Sequence, residues 1–217
     1  MKIKKLKRRK FQYLTKEEFD NPLLPLVALC CSETSLDYAV GDTHQFIRAT
    51  NGRNTGFVGS DYANMYFFYE RFCKHIELLY VLMHRFPDWK LAKDGPLYRV
   101  RVMGRAKEVY DGDMFDGTTM QFNKLSKTEF WDLRLFMKSL FAFKTLDEWR
   151  DTLDDMVRMI FGDESFSEYY DNAYQIFEYL DKLCEAMFLA YLIRGKDYML
   201  NHCAKRFGIK KKKLIDA

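Results

Sequence analysis

The sequence predicts a mainly α-helical fold, in which a helical bundle surrounds a central apolar helix and carries a small inserted β-hairpin. Nineteen Phe and fourteen Tyr among 217 residues supply large side chains for a core. Only four Pro and eleven Gly interrupt the chain, which favours long helices over a loop-rich sandwich. Ser or Thr is followed three residues later by Glu at four places, the pattern of a capping box at a helix start.

The central helix is predicted at about residues 61–86. Ser60 or Asp61 can cap its start, and Pro87 stops it because the residue before a proline avoids helical geometry. Its apolar residues occupy nearly every face, which is typical of a buried helix. They are Tyr62, Met65, Phe68, Phe72, Ile76, Leu79, Tyr80 and Met83.

The β-hairpin is predicted at about residues 97–122. Apolar residues alternate with polar ones at Tyr98, Val100 and Val102, and "DGD" and "DG" supply turn signals further on. The stretch "DGDMFDG", residues 111–117, is too irregular for a calcium-binding loop, because its fifth position is Phe115. Turn chemistry explains the same residues.

Capping boxes predict where helices begin. The four pairs are Thr15/Glu18, Ser126/Glu129, Thr145/Glu148 and Ser165/Glu168. The last three precede helices predicted at residues 129–143, 146–161 and 166–194, with Gly162 stopping the second and Gly195 ending or kinking the third. No internal repeat is evident. We expect a basic arm at residues 1–20, a helical domain at 21–195, and a C-terminal helix with a basic tail at 196–217.

Cysteine usage and hydropathy predict a cytoplasmic protein. Five Cys form no framework spacing and are typical of free thiols in a reducing compartment. The N-terminus has no apolar segment of the kind that a signal peptide needs. The best apolar run, residues 186–193, is too short to span a bilayer, so we expect no membrane partner.

Positive charge gathers at the two ends of a chain whose net charge is only +4. The first ten residues hold seven basic residues and no acid, which suits a polyanion such as DNA or RNA. The alternative is that both ends are solvated tails. The candidate nucleic-acid-binding residues are Lys4, Lys5, Lys7, Arg8, Arg9, Lys205, Arg206, Lys210, Lys211, Lys212 and Lys213.

The closing stretch, "CAKRFGIKKKKLIDA", allows two interpretations. Ala204 is a small residue, and Gly208 follows four positions later where a turn needs a permissive backbone. "AKRFGI" resembles the first helix and turn of bacterial helix-turn-helix repressors, a resemblance that implies DNA binding through a partial motif. The simpler interpretation, which we favour, is a helix capped by Gly208 whose lysines complement the helix dipole.

A second, weaker anion site is predicted ahead of the central helix. Gly52, Arg53, Gly56 and Gly59 lie in "TNGRNTGFVGSDYA", where free amides at a helix start can hold an anion. The spacing fits neither a P-loop nor a dinucleotide-binding fingerprint. Tight turns are the alternative use of these glycines.

No local pattern predicts a catalytic nucleophile, a metal site or a cofactor. None of the four His pairs with another His or Cys at zinc-binding spacing. Arg194 and His202 are loosely similar to the Arg–His pair of HEPN ribonucleases, with a longer gap than that family uses, whereas Arg71 and His75 lie too close. Three hypotheses remain: a nucleic-acid-associated regulator or accessory factor, a protein–protein interaction module, and a HEPN-like helical ribonuclease. The sequence favours the first, with an enzyme less expected, and predicts no oligomeric state.

Overall fold

The structure, a computed structural model, describes residues 6–30, 34–51, 59–95, 98–103, 106–111, 118–162 and 164–207. It is mainly helical with a small antiparallel sheet, as the sequence predicts. The helices are α1 (Lys16–Asp20), α2 (Leu23–Ala28), α3 (Leu36–Asn51), α4 (Gly59–Arg85), α5 (Lys127–Trp131), α6 (Leu133–Phe143), α7 (Leu146–Gly162), α8 (Phe166–Tyr169), α9 (Ala173–Ala190) and α10 (Lys196–Phe207). The strands are β1 (Asp94–Gly95), β2 (Tyr98–Met103), β3 (Ala106–Asp111) and β4 (Thr118–Phe122).

Helix α4 is the central helix that the sequence predicts. It packs against α3, α6, α7 and α9. Phe72 and Leu82, one near its middle and one near its end, are fully buried. The burial follows from a helix whose apolar residues cover almost every face.

The inserted β element has more strands than the predicted hairpin. The strand order is β1-β2-β3-β4, and all neighbours are antiparallel. Strand β2 meets β3 at the pair Met103–Ala106, and β3 meets β4 at Asp111–Thr118. Val109 and Phe122 turn fully buried side chains towards the helices, so the sheet shares the bundle core. The predicted "DGD" turn lies outside the described residues.

The helix predicted at residues 129–143 is wrong in one respect, because it is broken at Asp132. This residue has extended geometry, with φ −137° and ψ 90°. The backbone N–H of Leu91 donates to Trp131 O at 3.1 Å, and that of Leu133 donates to Trp89 O at 3.0 Å. A short pairing with residues 89–91 therefore replaces helical hydrogen bonds here. The Asp132 carboxylate then caps α6 by accepting from the Arg134 N–H at 3.1 Å.

The helix predicted at residues 166–194 is also broken near its start. Helix α8 stops before Tyr170, whose backbone is extended, and α9 begins at Ala173. The Tyr170 ring stacks on Phe166 at a centroid distance of 4.3 Å, and its hydroxyl donates to Asp155. Ser165 makes no capping hydrogen bond, so the predicted box at Ser165 is wrong. The boxes at Thr15, Ser126 and Thr145 are confirmed in both directions.

Gly195 lies in a wider helical turn and does not end the helical path. A π-helical turn, Tyr191–Gly195, joins α9 to α10, and the N–H of Lys196 donates to the carbonyl of Tyr191. A Cβ at Gly195 would lie 2.7 Å from Cδ2 of the Tyr191 ring, so glycine allows this close approach. Helix α10 then packs beside α2, where the Asn21 amide donates to the Tyr198 hydroxyl at 2.7 Å.

Candidate binding surfaces

A short segment with backbone bends at residues 12–14 fastens the N-terminal arm to the bundle; we call residues 11–14 the strap. Its backbone N–H groups at Gln12, Tyr13 and Leu14 donate to the carboxylate of Glu77 at 2.7, 2.9 and 3.1 Å. Glu77 lies on α4 and is fully buried. Arg150 Nη2 on α7 donates to the same carboxylate at 2.6 Å and to Lys10 O at 2.5 Å. The main chain at residues 10–14 is therefore held against α4 and α7.

The predicted nucleic-acid-binding residues fall into several places. Lys7 and Arg9 are exposed beside the 3-10 turn Arg8–Lys10. The Arg8 guanidinium instead donates to the carbonyls of Phe11 and Leu14, so Arg8 helps to fix the strap. Lys205 and Arg206 lie in the last turn of α10. Lys4, Lys5 and Lys210–Lys213 lie outside the described residues, as does Gly208 of the helix-turn-helix interpretation.

The predicted anion site is described only at Gly59. This residue is the first of α4. Gly52, Arg53 and Gly56 lie outside the described residues. The structure therefore adds no contact that favours an anion at this helix start.

Acidic side chains lie on α7 beside the strap. A cleft of ≈ 340 Å³ opens on one side of the strap. Asp147, Asp151 and Asp154 of α7 line it, together with Arg150. Because Arg150 is paired with Glu77 and with Asp147, the side chains of α7 along this cleft are mainly negative. The arm and the face of α7 beside it thus carry opposite charges.

A larger cleft of ≈ 680 Å³ opens on the other side of the strap, along α4. Its cations are held in ion pairs: Arg71 Nη1 lies 2.9 Å from Asp42 Oδ2, and Lys74 Nζ lies 2.6 Å from Glu18 Oε1. The Nε and Nη2 atoms of Arg71 have no hydrogen-bond partner in the described part of the chain, but both are shielded from solvent. Phe67 lines the same cleft.

One end of the bundle gathers exposed aromatic side chains. Helices α4 and α7 run antiparallel, since Glu77 meets Arg150 while Tyr69 meets Asp154. The start of α4 therefore lies by the end of α7. The N–H of Ser167 donates to Asn51 Oδ1 at 3.2 Å, which places α8 at the end of α3. Five aromatic residues at this end are between 50% and 79% exposed, and we call them the aromatic end: Tyr66, Phe67, Phe161, Tyr169 and Tyr174.

Two buried cysteines, Cys73 and Cys184, have raised pKa values. Burial raises the pKa of the Cys73 thiol to about 12 and that of Cys184 to about 11, so both stay protonated at neutral pH. The Thr43 hydroxyl lies 2.8 Å from Cys184 Sγ, within a packed core. Both thiols thus lack the lowered pKa that favours a nucleophilic cysteine.

The histidines are placed for packing or for surface ion pairs. Burial lowers the pKa of His75 to about 3, so its ring is neutral. His44 Nε2 lies 3.2 Å from Asp181 Oδ1 at the surface, and Lys124 Nζ lies 2.7 Å from Oδ2 of the same carboxylate. In the part of the chain that the structure describes, no group of three or more His, Cys, Asp or Glu residues is placed to hold a metal ion.

The Arg–His pair of the ribonuclease hypothesis gains no support from its contacts. Arg194 donates to Asp88 O at 2.8 Å and lies over the Phe86 ring. His202 is exposed and stacks on Tyr198 at a centroid distance of 6.1 Å. The guanidinium of Arg194 is therefore already engaged by main chain and aromatic ring.

Comparison of the chain with protein families, with curated proteins and with solved structures finds no match in any of the three. Among the helices of the described ranges, none is long and apolar enough to cross a membrane.

Proposed function

We propose that the protein is a protein–protein interaction module that engages its partner through the aromatic end. The observation that carries the proposal is that five aromatic side chains, each at least 50% exposed, lie at one end of the bundle. Scattered apolar residues are normal on a protein surface, whereas a cluster of them marks an interaction site. Tyr and Phe are also enriched where protein partners meet.

Charged residues border this surface, as expected for the rim of a protein interface. On α7, Arg158 lies one helical turn before Phe161 and is 74% exposed at its side chain. Its guanidinium pairs with Asp154 at 3.3 Å and with Asp155 at 3.9 Å. A partner with a small apolar patch and a mixed-charge border fits this arrangement.

Site-specific photo-crosslinking in the native cell tests the proposal. A benzophenone amino acid replaces Tyr174 in one variant and Tyr38 in the other, which are 79% and 75% exposed. Tyr38 lies at the start of α3, away from the aromatic end, and so provides a control with matched exposure. We expect one discrete crosslinked protein from position 174 and none from position 38. Equal crosslinking from both positions, or none from either, would refute the proposal.

Nucleic-acid binding through the N-terminal arm is the second candidate. Lys7, Arg9 and Lys10 are exposed, and the carbonyl of Lys10 is held by Arg150, which favours contacts with phosphates. The carboxylates of α7 beside this segment oppose a polyanion, and for this reason we place this candidate second.

A salt-titrated gel shift with random duplex and single strand tests the second candidate. Changing Lys7, Arg9 and Lys10 together to Gln should lower the slope of log affinity against log salt by about two to three, since each lost phosphate contact removes about 0.7–0.9. The control changes three exposed lysines elsewhere, Lys16, Lys127 and Lys138. An unshifted wild-type sample at low salt rules the candidate out.

A further inference from the structure

The same nine-residue pattern occurs twice in the chain. Residues 11–19 read "FQYLTKEEF" and residues 122–130 read "FNKLSKTEF", with five identical residues at a separation of 111. Both copies contain a capping box, and both lead into a five-residue helix, α1 or α5. The Phe and Leu that open each copy are buried. The second copy therefore contains a second strap, residues 122–125.

Both straps are held in the same way. Glu185 of α9 is 1% exposed, and its carboxylate accepts from the N–H groups of Asn123, Lys124 and Leu125 at 2.5, 2.8 and 2.8 Å. These contacts reproduce, residue for residue, those that Glu77 makes with the first strap. Three consecutive amides on one buried carboxylate form an unusual contact, and here it occurs twice.

A lysine completes each docking site. Lys74 precedes Glu77 by one turn and pairs with Glu18, the capping-box glutamate of the first copy. Lys182 precedes Glu185 by the same three residues and lies 3.5 Å from the capping-box glutamate of the second copy. We call each Lys-x-x-Glu pair a cradle.

The helices that carry the cradles correspond beyond them. The two cradles are 108 residues apart in the sequence. The same separation relates Tyr66 of α4 to Tyr174 of α9, and Glu70 to Glu178. Tyr66 and Tyr174 are both exposed members of the aromatic end.

The helices between strap and cradle correspond as well. Helices α3 and α7 begin with "SLD" and "TLD", 110 residues apart. Ser35 Oγ accepts from the Tyr38 N–H at 3.4 Å, as Thr145 Oγ1 accepts from the Glu148 N–H at 3.3 Å. Five equivalent positions are buried in both helices: Leu36, Ala39, Thr43, Phe46 and Thr50 match Leu146, Trp149, Leu153, Met156 and Ile160.

From these correspondences we infer that the chain is a tandem duplication of one helical unit, residues 11–85 and 122–190, and that its cradles are equivalent docking sites for the same nine-residue segment. The packing is reciprocal, since α3 of the first unit packs on α9 and α7 of the second unit packs on α4. Such an exchange is what a two-fold relation between the units produces. This inference replaces the expectation of no internal repeat.

The two cradles differ in the cation that accompanies the buried carboxylate. Arg150 of α7 forms an ion pair with Glu77, but the equivalent position on α3 is Val40. Lys107 of β3, which is 4% exposed, takes this place and donates to Leu125 O at 2.5 Å. The sheet thus supplies the second unit with a charge that its own helix lacks.

Exchange of the straps in the full chain tests the inference. Gln12→Asn, Tyr13→Lys, Thr15→Ser and Glu17→Thr together give the first copy the sequence of the second. The control puts residues 123–131 at positions 11–19, which is almost the same composition shifted by one residue. Amide hydrogen exchange at positions 12–14 reports docking directly, because these N–H groups donate to Glu77.

We expect protection at positions 12–14 within about tenfold of wild type in the exchanged chain, about 1.4 kcal/mol, and full loss in the shifted control. Loss of protection in both variants would overturn the inference. Glu77→Gln and Glu185→Gln provide an independent test. Each change should reduce the protection from hydrogen exchange of the strap that its own glutamate binds, and should leave the other strap protected. Deprotection of both straps by either single change would contradict two separate docking sites.

Discussion

Arg150 of α7 and Glu77 of α4 join the two units of the bundle through a buried ion pair. The Nη2 and Nε atoms of Arg150 lie 2.6 and 3.2 Å from Glu77 Oε1. The carboxylate is fully buried and the Arg150 side chain is 13% exposed. Burial of such a pair is favourable only when its remaining hydrogen-bonding capacity is used. Here the strap amides and Lys10 O use it.

Arg150→Met should therefore destabilise the fold by about 3–5 kcal/mol, because it leaves a buried carboxylate without its cation. Chemical denaturation measures the change. Arg158→Met on the same helix is the control, since that side chain is mostly exposed and its ion pairs should contribute less than about 1 kcal/mol. Similar losses of unfolding free energy in both variants would show that the buried ion pair stabilises the fold no more than the exposed pairs of Arg158 do.

Tyr69→Phe should lower the free energy of unfolding by about 1–3 kcal/mol. The Tyr69 hydroxyl donates to Asp154 Oδ1 at 2.7 Å and accepts from the Tyr13 hydroxyl at 2.6 Å, so its removal leaves both neighbours without that partner. Tyr66→Phe, at a half-exposed position one turn away, should change the free energy of unfolding by less than about 0.5 kcal/mol. Tyr13→Phe combined with Tyr69→Phe should cost less than the sum of the two. Strict additivity would contradict the network.

His75 should make the protein less stable in mild acid. Burial lowers its pKa to about 3, whereas an unfolded histidine binds a proton below about pH 6.5. The unfolded state thus binds more protons as the pH falls, and stability decreases by about 2 kcal/mol between pH 7.5 and pH 5. His75→Leu should remove this loss in urea titrations at the two pH values. Leu183 occupies the equivalent position of the second unit, so leucine suits the site. His202→Leu, at an exposed position, should keep the wild-type dependence.

Glu185 should have the opposite effect on stability, which it should lower as the pH rises. Burial raises its pKa, and the three strap amides and Lys107 offset that only in part. The folded state therefore holds this proton more tightly than the unfolded chain does. The contribution is present below the usual glutamate pKa of about 4.3 and is lost as the pH rises through the raised value.

The test compares slopes of stability against pH in the His75→Leu background, where the histidine no longer contributes. Glu185→Gln should make the slope above pH 4.3 more positive, whatever its effect on total stability. Glu178→Gln, on the exposed side of the same helix, should leave the slope unchanged. An unchanged slope in Glu185→Gln would contradict the raised pKa.

Local signals predicted the fold where local chemistry sets it. Pro87 marks the end of α4, and Thr145 and Gly162 mark the bounds of α7, which the structure matches within two residues. The predicted cap of α4 is wrong, because the helix begins at Gly59 and contains Ser60 and Asp61. Helix α3 was not predicted, because Thr43 and Thr50 lie among its buried positions and obscure the apolar period. The break at Asp132 depends on pairing with residues 89–91, about 40 positions earlier, and no local pattern records such a contact.

The sequence contains a signal for each cradle that helical periodicity and motif spacing do not reveal. Glu77 and Glu185 are single acids within apolar stretches, "HIELLY" and "LCEAMF", and a charge there needs a buried partner. Their partners are main-chain amides, which no sequence displays. The exposure of Tyr66 and Tyr174 likewise depends on which helix faces remain uncovered after packing.

The π-helical turn before Gly195 determines the direction in which the last helix presents its side chains. An α-helix rotates by about 100° per residue, so one residue accommodated in a wider turn resets the azimuth of all that follows. If the same residues wound as a regular α-helix, every side chain after the turn would be rotated by about 100°, and Tyr198 would no longer face Asn21. Loss of the π-helical turn alone would thus change which side chains of α10 face α2, with no change in composition.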